Sequence, residues 1–246
     1  AWQLATSPAY HITNALQGVM VTVPRLAADF GNYARAWHHM MEGYRTLAHV
    51  GLTGELDLNK VRQAGLREAL QRAADMGVLD VGMDSDLTQF EATRTGVGAV
   101  DKTTAVARRA MFLLRKISRK VEVWNRVSSA TAAYNMALEN GNTAAEAQDY
   151  AVRVLQTTQG DFSRTNAPLI LKKLPKVMTQ YKKYQFMMGA LYVKAAHDAF
   201  RGETAEIRAI GRRMLAFKLF HASVGAGVLG LPLMNVVGLV LGAAFG

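Results

Sequence analysis

Apolar residues recur at intervals of three and four along most of the chain, which is the spacing of an amphipathic helix. The first run begins at Arg25, continues to Leu47 and is ended by Gly51 and Gly54. A second run covers 55–77, and Gly77 suits the end of a helix. Alternating runs of β-branched residues are scarce. The pattern predicts an all-α protein, a multi-helix bundle with long helices.

The longest run covers 101–139, where Asp101, Thr103 and Thr104 supply N-cap chemistry. Its apolar positions keep one stripe: Val106, Ala110, Leu113, Leu114, Ile117, Val121, Trp124, Val127, Ala130 and Tyr134. Charged residues lie off that stripe: Arg108, Arg115, Arg119, Glu122 and Arg126. A helix of this length extends about 57 Å and spans the molecule. We expect it to display its charge to one side.

Three more helices follow in the sequence. Thr143 and Glu146 have capping-box spacing and open a helix that reaches about Gln156. Pro168 suits the first turn of a helix over 168–201, in which Pro175 should introduce a kink. The apolar positions there that favour the core are Tyr181, Tyr184, Met188, Leu191 and Tyr192, with Phe200 in the same series. Gly202, Thr204 and Glu206 mark the turn into a last basic helix over 203–218.

Both ends of the chain are uncharged. Residues 1–24 are buried or touch lipid, whereas 219–246 form an apolar helical hairpin or kinked helix, broken at Gly230 and Pro232. That second segment fits a kinked spanning helix, a re-entrant hairpin or a buried core hairpin. The residues predicted to contact membrane are Leu219, Phe220, Val224, Leu229, Leu231, Leu233, Val237, Leu239 and Leu241. We expect an acidic, glycine-rich loop at about 77–100. We interpret 1–246 as one helical module that is a fragment of a longer chain.

The net charge of +10 is concentrated in two segments. Residues 101–126 carry eight basic side chains against two acidic ones, and 168–218 carry eleven against three. Such blocks are typical of proteins that contact a polyanion, either nucleic acid or an anionic membrane, although solvated helix faces also carry them. The predicted contacts to phosphate or headgroups are Arg108, Arg109, Arg115, Lys116, Arg119, Lys120, Lys172, Lys173, Lys176, Lys182, Lys183, Arg208, Arg212 and Arg213.

Catalytic and metal-binding patterns are weak. The chain has no cysteine, which excludes thiol nucleophiles, disulfides and cysteine-ligated metals. His38 and His39 are adjacent, so on a helix they point about 100° apart and do not readily share a metal. No glycine-rich phosphate loop or nucleophile-elbow motif occurs. We therefore predict no enzyme activity, no cofactor and no metal, with a hydrolase site at Asp84, Asp86 and Glu91 as a minor alternative.

Two stretches, 3–25 and 164–232, resemble the helical carboxy-terminal region of the large polyvalent proteins of bacteriophages. That region is similar to parts of the internal virion, or DNA-ejection, proteins of short-tailed phages. The matching positions are Ser7, Pro8, Tyr10, Asn14 and Gln17 near the start, then Asn166, Pro168, Gly202, Thr204 and Glu206. The resemblance covers about a third of the chain, and the motifs are not catalytic.

This resemblance implies a virion protein that serves viral genome delivery. It would be packed inside the capsid and then enter the host cell envelope, at the periplasm or inner membrane. There it would help to form a conduit, as a homo-oligomer and with other ejection proteins. Its partners would be the backbone of double-stranded DNA, contacted without sequence specificity, and the host inner membrane. The alternative from the residues alone is a soluble structural or assembly module that acts through protein contacts.

Overall fold

The computed structural model describes residues 18–51, 54–79, 102–158 and 176–226, with side chains except at 47, 102–115, 118, 176–188, 222 and 224–226. Within these ranges the chain forms seven α-helices: α1 Val23–Phe30, α2 Tyr33–Tyr44, α3 Ala64–Asp75, α4 Lys102–Glu139, α5 Ala144–Thr158, α6 Lys176–Arg201 and α7 Ala205–Ala226. The only β pairing among the described residues is an isolated bridge between Val50 and Leu56. The all-α prediction is confirmed.

The first predicted helix is in fact two helices. Gly31 ends α1 in the left-handed conformation, with φ of 72°, and its N–H donates to the carbonyl of Ala27. Asn32 then caps α2, because its side chain accepts a hydrogen bond from the N–H of Arg35 at 3.0 Å. A glycine followed by an N-cap residue ends one helix and starts the next. The prediction of one uninterrupted helix through Leu47 was therefore wrong.

The second helix is shorter than its apolar pattern. A 3-10 turn, Leu58–Lys60, precedes α3, and the side chain of Asp57 accepts a hydrogen bond from the N–H of Asn59 at 3.2 Å. The C-terminal end is as expected: Gly77 has φ of 69°, and the N–H of Val78 donates to the carbonyl of Ala73 at 2.9 Å. The short capping interactions of Asp57 stop the helix from extending toward residue 55.

Helix α4 spans Lys102–Glu139 as predicted, but its single apolar stripe does not survive in three dimensions. Small residues from Ser128 to Ala133 are buried on every side of the helix. Helices α2, α3 and α5 all pack on this half, and small side chains allow several neighbours to approach. Ile117, nearer the middle of the helix, is by contrast exposed. The C-terminal half of α4 is therefore surrounded by other helices rather than buried along one stripe.

Helices α2 and α4 approach each other closely in the core, where they cross at Gly43. A Cβ atom placed on Gly43 would overlap the backbone carbonyl of Ser128. Beside this crossing, the hydroxyl of Thr46 donates to the carbonyl of Gly43 at 2.6 Å. The chain before α1 packs into the same core, since Val19, Val21 and other described residues of 18–24 are buried. These described residues are therefore buried, which is one of the two alternatives expected for the uncharged N-terminal segment.

Helices α5 and α7 begin close to their predicted starts. Thr143 and Glu146 form the capping box of α5, with the Thr143 N–H donating to the Glu146 carboxylate at 2.8 Å and the Glu146 N–H donating to the Thr143 hydroxyl at 3.3 Å. Thr204 caps α7 in a similar way, accepting from the N–H of Ile207 at 3.1 Å. Helix α7 continues eight residues beyond Lys218, into the uncharged segment. Pro168 and Pro175 lie outside the described residues.

Candidate polyanion-binding surface

Helix α6 carries a line of cations along its length. Lys176, Lys183, Lys194 and Arg201 are spaced by seven, eleven and seven residues. At 100° per residue these positions stay within about 20° of one line, which is about 38 Å long. Lys194 and Arg201 are exposed. We call these four residues the basic stripe.

Acidic residues are scarce in the sequence of α6. Its single acidic residue is Asp198, which accepts a hydrogen bond from the Lys194 ammonium at 3.1 Å. Burial on its own would raise the pKa of Asp198, but this hydrogen bond and the neighbouring His197 outweigh it and hold the pKa below its ordinary value. Lys194 therefore has a partner on its own helix. Because this ion pair is exposed and weak, the ammonium can readily exchange Asp198 for a phosphate. Lys182 also belongs to α6, off the stripe.

The opposite face of α6 packs along α7. Ala195 and Ala199 are buried there, and a Cβ atom on Gly211 of α7 would overlap the backbone of Ala199. Leu191 and Tyr192 are half-buried, as their predicted core positions require, whereas the side chains of Tyr181, Tyr184 and Met188 lie outside the described part. The line of the basic stripe consequently lies away from this contact.

One apolar residue that the sequence placed in the core is on the surface. Phe200 is 76% exposed, and Val193, seven residues earlier on the same face, is 70% exposed. Counting apolar residues at intervals of three and four missed this. A helical wheel separates the two faces, since Val193 and Phe200 lie about 100° to 160° around the helix from Ala195 and Ala199.

The basic residues of α4 are only partly displayed. Arg119 is exposed, and Lys116 and Lys120 are half-buried. The backbone of Arg108, Arg109 and Arg115 is helical, and their side chains lie outside the described part. Arg126, expected on the charged face, is buried, and its guanidinium donates to the carbonyl of Val78. This cation tethers the turn after α3 instead of facing solvent.

The arginines of α7 are largely engaged by the protein itself. The Arg208 guanidinium donates to the carbonyl of Gly202 at 2.7 Å and stabilises the turn between α6 and α7. Arg212 is exposed, and Arg213 lies against Gly31 at the C-terminal end of α1, where helix carbonyls favour a cation. Lys172 and Lys173 lie outside the described residues. Of the predicted α7 contacts, Arg212 is the most accessible.

Lys218, the last cation of the second basic segment, is not displayed to solvent. Its side chain is only 2% exposed, and no described atom accepts a hydrogen bond from its Nζ. The ammonium lies 5.6 Å from the ring centroid of Tyr192, whose hydroxyl donates to the Lys218 carbonyl. Burial, and secondarily the nearby charge of Arg25, lowers the pKa of Lys218 to about 8. In the described part of the protein, α6 and α7 therefore bury a cation that has no hydrogen-bond acceptor.

The predicted membrane contacts are divided by the structure. Phe220 is exposed and Leu219 is half-buried, while Val224 belongs to α7 without a described side chain. Leu229, Leu231, Leu233, Val237, Leu239 and Leu241 lie outside the described residues. In the part of the chain that the structure describes, every helix is too short or too polar to cross a bilayer.

Comparison with known proteins does not identify a function for this surface. No protein-family model, curated protein or solved structure matches the chain. The functional interpretation therefore depends on exposure, charge and helical register.

A second charged cluster joins the ends of α2 and α4. His39 is buried, and its ring nitrogens contact two carboxylates: Nδ1 lies 3.1 Å from Glu42 and Nε2 lies 2.5 Å from Glu139. Arg35 contacts the other oxygen of Glu139 at 2.7 Å. Ionised carboxylates only accept hydrogen bonds, and a ring nitrogen that carries a proton can donate to them. His38 is exposed, 3.5 Å from Glu42.

This cluster is a structural clamp and not a metal centre. Among the described residues, no group of three or more histidines and carboxylates has the geometry to hold a metal ion. The hydrogen bond from His39 and the charge of Arg35 hold the pKa of Glu139 below its ordinary value, against a smaller opposing effect of burial. A carboxyl with a lowered pKa stabilises the fold at pH values above its unfolded pKa and loses that contribution as the pH falls through the folded value.

Glu139→Gln is expected to lower the melting temperature at neutral pH, because His39 and Arg35 lose the anion that they share. The difference from the unmodified protein should shrink as the pH falls and disappear below the lowered pKa of Glu139. Thermal unfolding followed by circular dichroism across acid pH measures this. Glu203→Gln, an exposed carboxyl outside the cluster, serves as the control and should have little effect at any pH. An equal loss in both variants would contradict the clamp.

Proposed function

We propose that this chain is a non-enzymatic module that contacts polyanions through its basic helices, as part of an internal virion or ejection protein of a phage. In this role it would help to form a conduit for genome delivery across the host cell envelope, with other ejection proteins and further copies of itself. The resemblance of 3–25 and 164–232 to phage proteins suggests the context. The basic stripe on α6 is the observation that carries the proposal.

The spacing of the basic stripe suits a backbone rather than a base sequence. Its cations are distributed over about 38 Å of a straight helix, so they match a line of phosphates and not one anion. Lysine and arginine contacts to phosphate fix position without reading bases. A conduit needs this property, because sequence-specific contacts would retain the DNA that has to pass.

The proposal is tested by reversing the stripe. Lys183, Lys194 and Arg201 changed together to glutamate should reduce retention of duplex DNA by about tenfold or more at low salt. The variant should keep its helical circular dichroism spectrum, because Lys194 and Arg201 are exposed and the stripe lies on a different side of α6 from the α7 contact. Binding is measured by fluorescence anisotropy with two duplexes of unrelated sequence, which should behave alike.

The control makes the same change in charge elsewhere. Arg45, Lys60 and Arg62 are exposed basic residues that lie outside α6 and α7. Changing these three to glutamate lowers the net charge equally but leaves the stripe intact. Retention close to that of the unmodified protein would support the proposal. If both variants lose binding equally, the net charge and not the stripe is responsible, and the proposal fails.

A further inference from the structure

The face of α6 beside the basic stripe exposes large apolar side chains that no part of the described protein covers. Val193 and Phe200 are seven residues apart, so they lie on one side of the helix about 10 Å from each other. Phe186 precedes Val193 by the same interval in the sequence. Apolar side chains of this size gain free energy when they leave water, so an exposed pair favours a covering surface.

Cations border this apolar pair directly. Lys194 and Arg201 each follow one of the two apolar residues, and the exposed His197 lies between them. The one carboxylate of the helix, Asp198, is occupied by Lys194 and His197. The combination of apolar residues with lysine and arginine along one flank is typical of helices that lie in the plane of a lipid interface.

We propose that this outer face of α6 docks onto an anionic lipid bilayer. Val193 and Phe200 enter the boundary between headgroups and acyl chains, while Lys194 and Arg201 contact lipid phosphates. The inference rests on the proposed function, to which it adds a membrane-contacting surface outside the C-terminal apolar segment. It requires no spanning helix, because the axis of α6 lies parallel to the membrane.

Other occupants fit the face less well. Nucleic acid would use the cations, but it offers no apolar layer for Val193. A second copy packed on the same face would bring two basic stripes together, and like charges at an interface oppose association. An anionic bilayer satisfies both features, because it presents negative phosphates above an apolar interior.

The test is co-sedimentation of the full chain with vesicles of phosphatidylcholine alone or mixed with phosphatidylglycerol. We expect binding to the anionic vesicles, and a loss of about tenfold or more in partitioning for the double variant Val193→Ser and Phe200→Ser. The control variant changes Met76 and Ile117 to serine, two exposed apolar residues on other elements. It should partition like the unmodified protein.

Binding of duplex DNA separates this inference from the proposed function. The Val193 and Phe200 double variant should retain DNA normally, because the basic stripe is intact. If it also sediments with anionic vesicles like the unmodified protein, the docking face is overturned while the DNA proposal stands. Equal binding of the unmodified protein to both vesicle types, or binding to neither, also overturns it. So does a dimer in analytical ultracentrifugation that the double variant dissociates.

Discussion

Replacing Lys218 by methionine is expected to raise the free energy of unfolding by about 2 kcal/mol at neutral pH. The ammonium is almost fully buried without a hydrogen-bond acceptor among the described residues, next to the positive charge of Arg25. The shift of its pKa from 10.5 to about 8 corresponds to a penalty of about 3 kcal/mol. Loss of the contact with the Tyr192 ring offsets about 1 kcal/mol of the gain.

The pH dependence of stability identifies the buried charge as the cause. Between pH 8 and 10.5 the unfolded chain keeps the Lys218 proton while the folded protein has lost it, so stability rises with pH across this window. Below pH 8 the full penalty is present. The methionine variant lacks this dependence, and its advantage over the unmodified protein should therefore decrease from pH 7.5 to pH 10, as measured by urea denaturation.

Lys194→Met is the matched control for this prediction. Lys194 lies on the neighbouring helix, is exposed, and pairs only with Asp198 of its own helix. Its replacement should change stability by about 0.5 kcal/mol or less at every pH. A Lys218→Met variant that is less stable than the unmodified protein, or that keeps the same pH dependence, would show that the ammonium is compensated.

Gly43→Ala should lower the free energy of unfolding by up to about 2 kcal/mol, although alanine is the better helix former. A methyl group there would overlap the Ser128 carbonyl on α4, and a backbone atom at the centre of a packed helix cannot move cheaply. Such overpacking costs about 1 to 3 kcal/mol, against a propensity gain of about 1 kcal/mol.

Gly189→Ala shows the propensity gain on its own. Gly189 is also within a helix, α6, but a Cβ atom there would have open space around it. This variant should be more stable than the unmodified protein by about 0.5 to 1 kcal/mol. The opposite signs at the two glycines, measured by thermal or urea unfolding, test whether α2 and α4 cross at Gly43. A stabilised Gly43→Ala variant would contradict that crossing.

Local chemistry explains why much of the helical plan was predictable. Thr143 with Glu146, and Thr204 before α7, cap helices through residues close in sequence, so their pattern is visible without the fold. Gly31 followed by Asn32 was equally visible as a break, yet the apolar series running through it favoured a single helix. At this break the capping residues determine the local structure more strongly than the apolar periodicity does.

The sequence could not predict in the same way which cations are buried and which are exposed. Arg126 and Lys218 lie on helices with exposed basic residues, and only the position of neighbouring elements makes them buried. Arg126 is compensated by the carbonyl of Val78, far away in sequence, whereas Lys218 has no such acceptor in the described structure. Periodicity gives the face of a helix but not the number of helices packed around it. A count of basic residues therefore overestimates the displayed charge.

The salt dependence of duplex DNA binding by the unmodified protein directly tests whether α6 contacts phosphates. If the four cations of the basic stripe contact phosphates, the logarithm of the binding constant should fall linearly with the logarithm of the salt concentration, with a slope of about −3 to −4. Duplexes of different sequence should give the same slope and similar affinity. A slope near zero, or no binding at low salt, would contradict the claim that this helix meets a polyanion.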